Sequence, residues 1–149
     1  AAWRTKRWAP QRFVDLGLAW SGDVVVIGGP GEEVLCREIS AKIEGSSFFV
    51  EQGFSKTFQV LEQAAVVVGG DTGLLHLAGA CGVPVVTLFG PTHRADGFFD
   101  YPGQYLENEL FCRPCTLHGR HRCPLLSQRC MEHSVADVLE AAEEARCAG

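Results

Sequence analysis

Residues 66–92 read VVVGGDTGLLHLAGACGVPVVTLFGPT, and the fold turns on how this stretch is parsed. Val66 to Val68 are three β-branched residues in a row, broken at Gly69-Gly70. Asp71-Thr72-Gly73 makes a short polar turn and runs directly into LLHLAGAC, which has helical rather than alternating character. After Gly82 and Pro84 a second apolar run, Val85 to Phe89, stops at Gly90-Pro91. Two nearly continuous apolar runs with a helix between them predict a βαβ unit whose strands are buried on both faces. Ligands in open parallel sheets bind beyond the carboxyl ends of the strands. Both polar turns, Asp71-Thr72-Gly73 and Gly90-Pro91-Thr92, fall at such ends, so the site is expected there.

The first turn has atoms suited to a phosphorylated ligand. A helix starting near Gly73 leaves its first N–H groups unpaired and carries partial positive charge. Gly73 lets a ligand approach the backbone, Thr72 offers a hydroxyl, and Asp71 can accept hydrogen bonds from sugar hydroxyls. His76 lies three residues beyond Gly73 and so projects from the same face of the first turn. The alternative, that Asp71 or Thr72 only caps the helix, stays open on these grounds.

Taken together, Asp71-Thr72-Gly73, His76, Gly82-x-Pro84 and Phe89-Gly90-Pro91-Thr92 resemble the signature of glycosyltransferase family 9, the bacterial ADP-heptose:lipopolysaccharide heptosyltransferases and their relatives. Thr5-Lys6-Arg7-Trp8 followed by Pro10 is similar to that family's loop near the donor phosphates, except that Ala9 intervenes before the proline. Gly28-Gly29-Pro30-Gly31-Glu32 resembles its second strand-to-helix turn. The resemblance implies a Rossmann-like parallel sheet with helices on both faces, the C-terminal half of a GT-B fold. It implies an inverting transfer of heptose from ADP-heptose to the lipopolysaccharide inner core, with no metal or other cofactor required. It places Thr5, Lys6, Gly29, Glu32, Asp71, Thr72, Gly73, His76, Gly90, Pro91 and Thr92 at the donor, with Glu32 on the ribose hydroxyls and Lys6 stabilising the departing diphosphate.

From the N-terminus, Arg4, Lys6, Arg7 and Arg12 fall in twelve residues without an acid. Lys6 is read as a phosphate clamp on an exposed side chain that contributes little to folding, and Arg4 and Arg7 as surface charges. Pro10 suits a first helical position, and Phe13, Leu16 and Trp20 then share a face. A strand over Val24–Ile27, a helix over about 32–43 and a short strand over Phe48–Val50 follow. Residues 53–57 are expected to loop beside the nucleotide base, with Phe54 packed rather than stacked on it, and 58–63 to form a helix. His93, Arg94 and Asp96 are expected in a loop over the site, and Leu106–Phe111 in an edge strand. Ser134 and Asp137 form a capping pattern that opens a closing amphipathic helix.

Between these lies Cys112-x2-Cys115-x7-Cys123-x6-Cys130 with arginines interleaved, Arg113 among them. Four thiols at this spacing could hold a structural zinc, though the pattern is not that of a paired Cys-x2-Cys ribbon, and the favoured reading assigns no metal. The arginines could meet phosphorylated lipid or core sugars at a membrane surface, a peripheral contact; a solvated basic loop is the favoured reading. Within the family this cysteine-rich end leans toward the heptosyltransferase II group.

The chain has 149 residues with net charge -5, which suits one globular domain and argues against a general nucleic-acid binder. No apolar run reaches the roughly 20 residues that cross a bilayer, and no signal-peptide pattern is present, so a cytoplasmic location is expected. The strand that should feed the Arg4–Lys6 loop is missing, as is an acceptor-binding domain. The expectation is therefore a donor-binding domain over 1–149, separated from an N-terminal acceptor half that carries the catalytic base, and inactive alone. Two rivals are a nucleotide-sugar epimerase of the same fold, which would take UDP-linked sugars, and a non-catalytic zinc module.

Overall fold

The computed structural model describes residues 3–50 and 53–148. A 3-10 turn at Arg4–Lys6 leads into α1 (Pro10–Ala19), β1 (Val25–Gly28), α2 (Glu33–Ser40), β2 (Ser47–Val50) and α3 (Phe54–Leu61). Then come β3 (Val67–Gly70), α4 (Gly73–Ala80), β4 (Val85–Phe89), β5 (Gly103–Glu107) and the closing α5 (Val135–Ala148). Among the described residues every strand pairing is parallel: β1 with β2, and β4 between β3 and β5. The chain is an α/β layered domain, as the βαβ reading requires.

Strand alternation decides which helices cover which face. Val86 and Leu88 of β4 pack with Leu16 of α1 and with Val138, Ala141, Ala142 and Ala145 of α5. Val85 packs the other way, with Leu61 of α3 and Leu75 and Ala78 of α4. Val14 of α1 joins Ile39 and Ile43 against Val24 and Val26. All five residues of β4 are buried, which explains its unbroken apolar run.

The hydrogen-bonded ladder is interrupted: β1 and β3 belong to separate sheets. In the doubly wound order these two positions flank a central strand. Ile27 of β1 and Val67 of β3 nevertheless pack on one apolar cluster, so side chains hold the two ladders together.

Three expectations are corrected. Helix α3 begins at Phe54, because Gly53 is extended and the Thr57 hydroxyl bonds back to the Gly53 carbonyl. Residues 54–57 are thus helical rather than looped, and Phe54, at 81% exposure, is not packed. The edge strand lies at Gly103–Glu107, ahead of its expected place, in register with Val85–Phe89. At the C-terminal helix the cap holds: the Asp137 N–H donates to Ser134 Oγ at 3.1 Å.

Candidate functional site

Two glycines let the N-terminal turn lie across the strand ends. A Cβ on Gly70, the last residue of β3, would stand 2.5 Å from the Lys6 carbonyl oxygen. One on Gly90, just beyond β4, would meet Met131 Sδ at 2.4 Å and the Thr5 carbonyl at 3.1 Å. With hydrogen at both positions, Thr5-Lys6 crosses the carboxyl ends of the two central strands.

Lys6 thereby reaches the first turn, where its Nζ donates to Asp71 Oδ2 at 2.5 Å. The Thr92 hydroxyl donates to the same oxygen at 3.0 Å, and His76 Nε2 lies 3.3 Å from Oδ1. His76 Nδ1 is 3.2 Å from the Tyr101 hydroxyl, and its ring is 4.6 Å from that of Phe98. Burial would raise the Asp71 carboxyl, but the Lys6 ammonium, then Thr92 and His76, hold it below the ordinary aspartate value. The Lys6 and Asp71 side chains are only 11% and 16% exposed. Lys6 is therefore a largely buried, paired cation rather than an exposed lysine.

Neither candidate cap caps α4. Thr72 sits at the N-cap in extended conformation without a side-chain bond, and the Asp71 carboxylate is turned toward Lys6 and Thr92. The Thr72 side chain gives the first N–H groups of α4 no cap bond, and a Cβ on Gly73 would meet nothing within 4 Å among the described residues. The result is an open helix N-terminus beside a buried ammonium, an arrangement that favours anions.

At the second turn the Gly29 N–H donates to Glu32 Oε2 at 3.0 Å, and Glu32 Oε1 lies 3.7 Å from Arg7 Nη2. Against the desolvation that would raise it, the Gly29 bond and the Arg7 charge help keep the Glu32 carboxyl below its usual value, hence ionised at neutral pH. Arg7 stays at the surface with its side chain 43% exposed, and from there it pairs with Glu32 and joins the second turn to the residue next to Lys6.

Thr5 points elsewhere. It is 3% exposed, and its hydroxyl donates to the Arg120 carbonyl at 2.7 Å and accepts the Arg120 N–H at 2.9 Å. The oxygen is committed to the cysteine-bearing loop. Lys6, Asp71, His76 and Thr92 converge; Gly29 and Glu32 form a separate pair; Gly90 and buried Pro91 shape the floor.

Two buried residues that support this floor escaped the sequence reading. Arg113 donates through Nε to the Gly90 carbonyl at 2.5 Å, through Nη2 to Thr92 at 2.8 Å and through Nη1 to Asn108 at 2.6 Å. Its side chain is 5% exposed, so it is no part of a solvated basic loop. In sequence nothing separates it from Arg120 or Arg122; the clue is the Gly90-Pro91-Thr92 turn, whose buried carbonyls need donors. His133, 4% exposed, sets Nε2 3.0 Å from the Phe89 carbonyl, while its own carbonyl accepts from Trp8 Nε1 and Arg12. Burial, with Arg113 and Arg12 nearby, pushes its imidazole below the ordinary histidine value.

Cys112, Cys115, Cys123 and Cys130 are free thiols lining one cavity of about 170 Å³. Among the described residues no group of three or more His, Cys, Asp or Glu side chains stands in a metal-holding arrangement. No helix among them is long and apolar enough to cross a membrane.

Residues 1–97 match the model of glycosyltransferase family 9 (heptosyltransferase). Lipopolysaccharide heptosyltransferase 1 of Pseudomonas aeruginosa is 29% identical over 119 residues, which cover 76% of this chain and 33% of that protein. The Escherichia coli K12 enzyme of the same name is 30% identical over 112 residues, covering 72% and 34%. Both carry the number 1, whereas the cysteine-rich end had leaned toward group II. The chain spans about a third of the length of these relatives. The crystal structure of a family 9 glycosyl transferase from Veillonella parvula superposes with a TM-score of 0.74 at 21% identity, over 100% of this chain and 44% of that one. At that identity the likeness speaks for the fold. A family match over residues 1–97, which contain both strand-end turns, together with the 30% identity to a curated relative, settles the family: the chain belongs to glycosyltransferase family 9.

Proposed function

We propose that this chain is the donor-binding half of a glycosyltransferase that moves heptose from ADP-heptose to the lipopolysaccharide inner core with inversion. The observation that carries the reading is the convergence of Lys6, Asp71, His76 and Thr92 beside the uncapped N-terminus of α4. A diphosphate entering there exchanges the Asp71 carboxylate for its own oxygens as partner of Lys6. The ammonium and the α4 N–H groups then balance the charge that builds on the leaving diphosphate, which is electrostatic leaving-group stabilisation. Asp71, released from Lys6, accepts from sugar hydroxyls, with Thr92 and His76 holding its orientation. Glu32, ionised and with its side chain 22% exposed, takes the ribose hydroxyls. The leaving group's charge is met by side chains and a helix end, so chelators should leave donor affinity unchanged. The base that deprotonates the acceptor lies outside this chain, on an acceptor half working at the cytoplasmic face of the membrane.

Calorimetry with ADP, UDP, GDP and ADP-heptose tests this. ADP is expected to bind best of the three nucleotides; a preference for UDP would favour the epimerase reading. Asp71→Ala also frees Lys6, but that effect falls equally on ADP and ADP-heptose. An extra loss confined to ADP-heptose therefore reads the sugar contact, and equal losses would remove Asp71 from the sugar. Sustained, acceptor-dependent ADP release by the 149-residue chain would place the base here and overturn the division of labour.

A further inference from the structure

His76 and Gly79 stand three residues apart on α4 and so share one face of that helix. The missing side chain at Gly79 leaves room there for Tyr101: a Cβ would stand 2.3 Å from Tyr101 Cγ. The Tyr105 hydroxyl donates to the Tyr101 carbonyl at 2.5 Å and pins the backbone of the same residue. So held, Tyr101 sets its hydroxyl 3.2 Å from His76 Nδ1. Phe98 lies against the imidazole with ring centroids 4.6 Å apart, and it meets the Tyr101 ring edge-on at 5.8 Å. Two rings thus fix an imidazole whose side chain is still 37% exposed, open to a ligand.

The other ring nitrogen decides where the proton sits. Nε2 lies 3.3 Å from Asp71 Oδ1. Asp71, paired with the Lys6 ammonium, is a carboxylate and can only accept, so Nε2 carries the hydrogen. In a neutral imidazole Nδ1 is then an acceptor, and the Tyr101 hydroxyl is its donor. The bonds run from Tyr101 to His76 to Asp71, each group donating to the next. At Asp71 the two oxygens end up unequal. Oδ2 takes both Lys6 and Thr92, whereas Oδ1 takes only His76 among the described residues. A carboxylate oxygen has about two lone-pair sites, so Oδ1 keeps one place for a further donor.

We propose that Tyr101 is a positioning residue that, through His76, reserves Asp71 Oδ1 for one hydroxyl of the donor sugar. The donor role rests on the proposed function and deepens it by naming what the sugar must bring, a hydroxyl that donates at that oxygen. The His76 tautomer does not depend on that reading. Without the Tyr101 hydroxyl, nothing holds the hydrogen on Nε2, and the Nδ1–H tautomer becomes accessible. A bare Nε2 would then set its lone pair against the carboxylate, so ring and carboxylate part and Oδ1 loses its fixed direction. The diphosphate is met by Lys6 and the α4 N–H groups, outside this chain of bonds. The damage therefore falls on the sugar, whose orientation depends on a directed acceptor.

The test uses Tyr101→Phe, which keeps the ring on Gly79 and removes only the hydroxyl. Nitrogen-15 NMR of the imidazoles reads the His76 tautomer, its signals assigned by their loss in His76→Gln. The unsubstituted chain should show Nε2 protonated and Nδ1 bare, and Tyr101→Phe should show a mixture of the two tautomers. In calorimetry Tyr101→Phe should lose about two- to tenfold in ADP-heptose affinity beyond any loss for ADP, the scale of one hydrogen bond. Added to His76→Gln, Tyr101→Phe should cost no further ADP-heptose affinity, because it acts through the imidazole. An Nδ1–H tautomer or a doubly protonated ring in the unsubstituted chain overturns the proposal, as does a fully additive double variant. A sugar-specific loss in Asp71→Ala with none in Tyr101→Phe overturns this proposal alone. Failure of the unsubstituted chain to bind any nucleotide overturns the proposed function and the donor role together, and leaves the tautomer result standing.

Discussion

Lys6 and Asp71 hold each other at 2.5 Å with side chains 11% and 16% exposed, and their surroundings fix what the pair contributes. Exposed pairs contribute about 0–1 kcal/mol, whereas removing one member of a buried pair costs about 3–5 kcal/mol. This pair lies nearer the second case, so Lys6→Ala should lower stability by about 2–4 kcal/mol in urea unfolding. It should also weaken ADP binding by about 1.5–3 kcal/mol, the scale of charged hydrogen bonds. An undiminished ADP affinity would remove Lys6 from the diphosphate. Acid should then act in two stages. His133 has a depressed folded-state value, so its contribution is complete above the unfolded value of about 6.5 and is lost as pH falls through the folded one. Asp71 follows the same sign from an unfolded value of about 3.9. His133→Gln should flatten the upper stage of a stability-against-pH curve and leave the lower one, which Lys6→Ala should shrink. These two residues were not equally legible. Lys6 stood out as a basic residue before a helix start, although its burial did not. His133 is defined by the Phe89 carbonyl, 44 residues away in sequence.

At the scale of the elements, β4 is the best-buried strand, and it contains a defect. Thr87 is fully buried, and its Oγ1 has no hydrogen-bond partner among the described residues. Thr87→Val keeps the shape and removes an unsatisfied hydroxyl, so it should raise stability by about 1 kcal/mol. Thermal unfolding checks this; a loss would mean that the hydroxyl has a partner in solution. The strands that could be read from sequence are those with β-branched or aromatic runs, β1 to β4. GQYLE of β5 has no such residue in sequence beyond Tyr105, so its place was set by tertiary pairing along β4. The same logic divides the site. Asp71, Thr72, Gly73 and His76 come from one strand-to-helix turn, so local spacing located them. Arg113 comes from the cysteine-bearing loop and acts on a turn 21 to 23 residues earlier, a relation no local pattern carries. Arg113→Met leaves three carbonyls without their donor and should cost about 3–5 kcal/mol, with weakened ADP binding as the Gly90-Pro91-Thr92 turn relaxes.

For the molecule as a whole, the split between β1–β2 and β3–β4–β5 matters most. Among the described residues no backbone ladder joins the two sheets, so side chains there transmit order from one to the other. Helix α1 is the main carrier, since Val14 packs with Ile39 and Ile43 while Leu16 packs with the α5 side of the core. Gly17 lets α1 approach closely, for a Cβ there would stand 2.5 Å from Ile43 Cδ1. The chain should accordingly open as two cooperative units of unequal free energy rather than one. Native-state amide exchange in graded denaturant should show β1 and β2 amides released first, through a sub-global opening, and β4 amides last. Gly17→Val, which forces α1 off Ile43, should lower the opening free energy of the first unit while β4 keeps its own. Equal loss of protection in both sheets would show that the molecule unfolds in a single step.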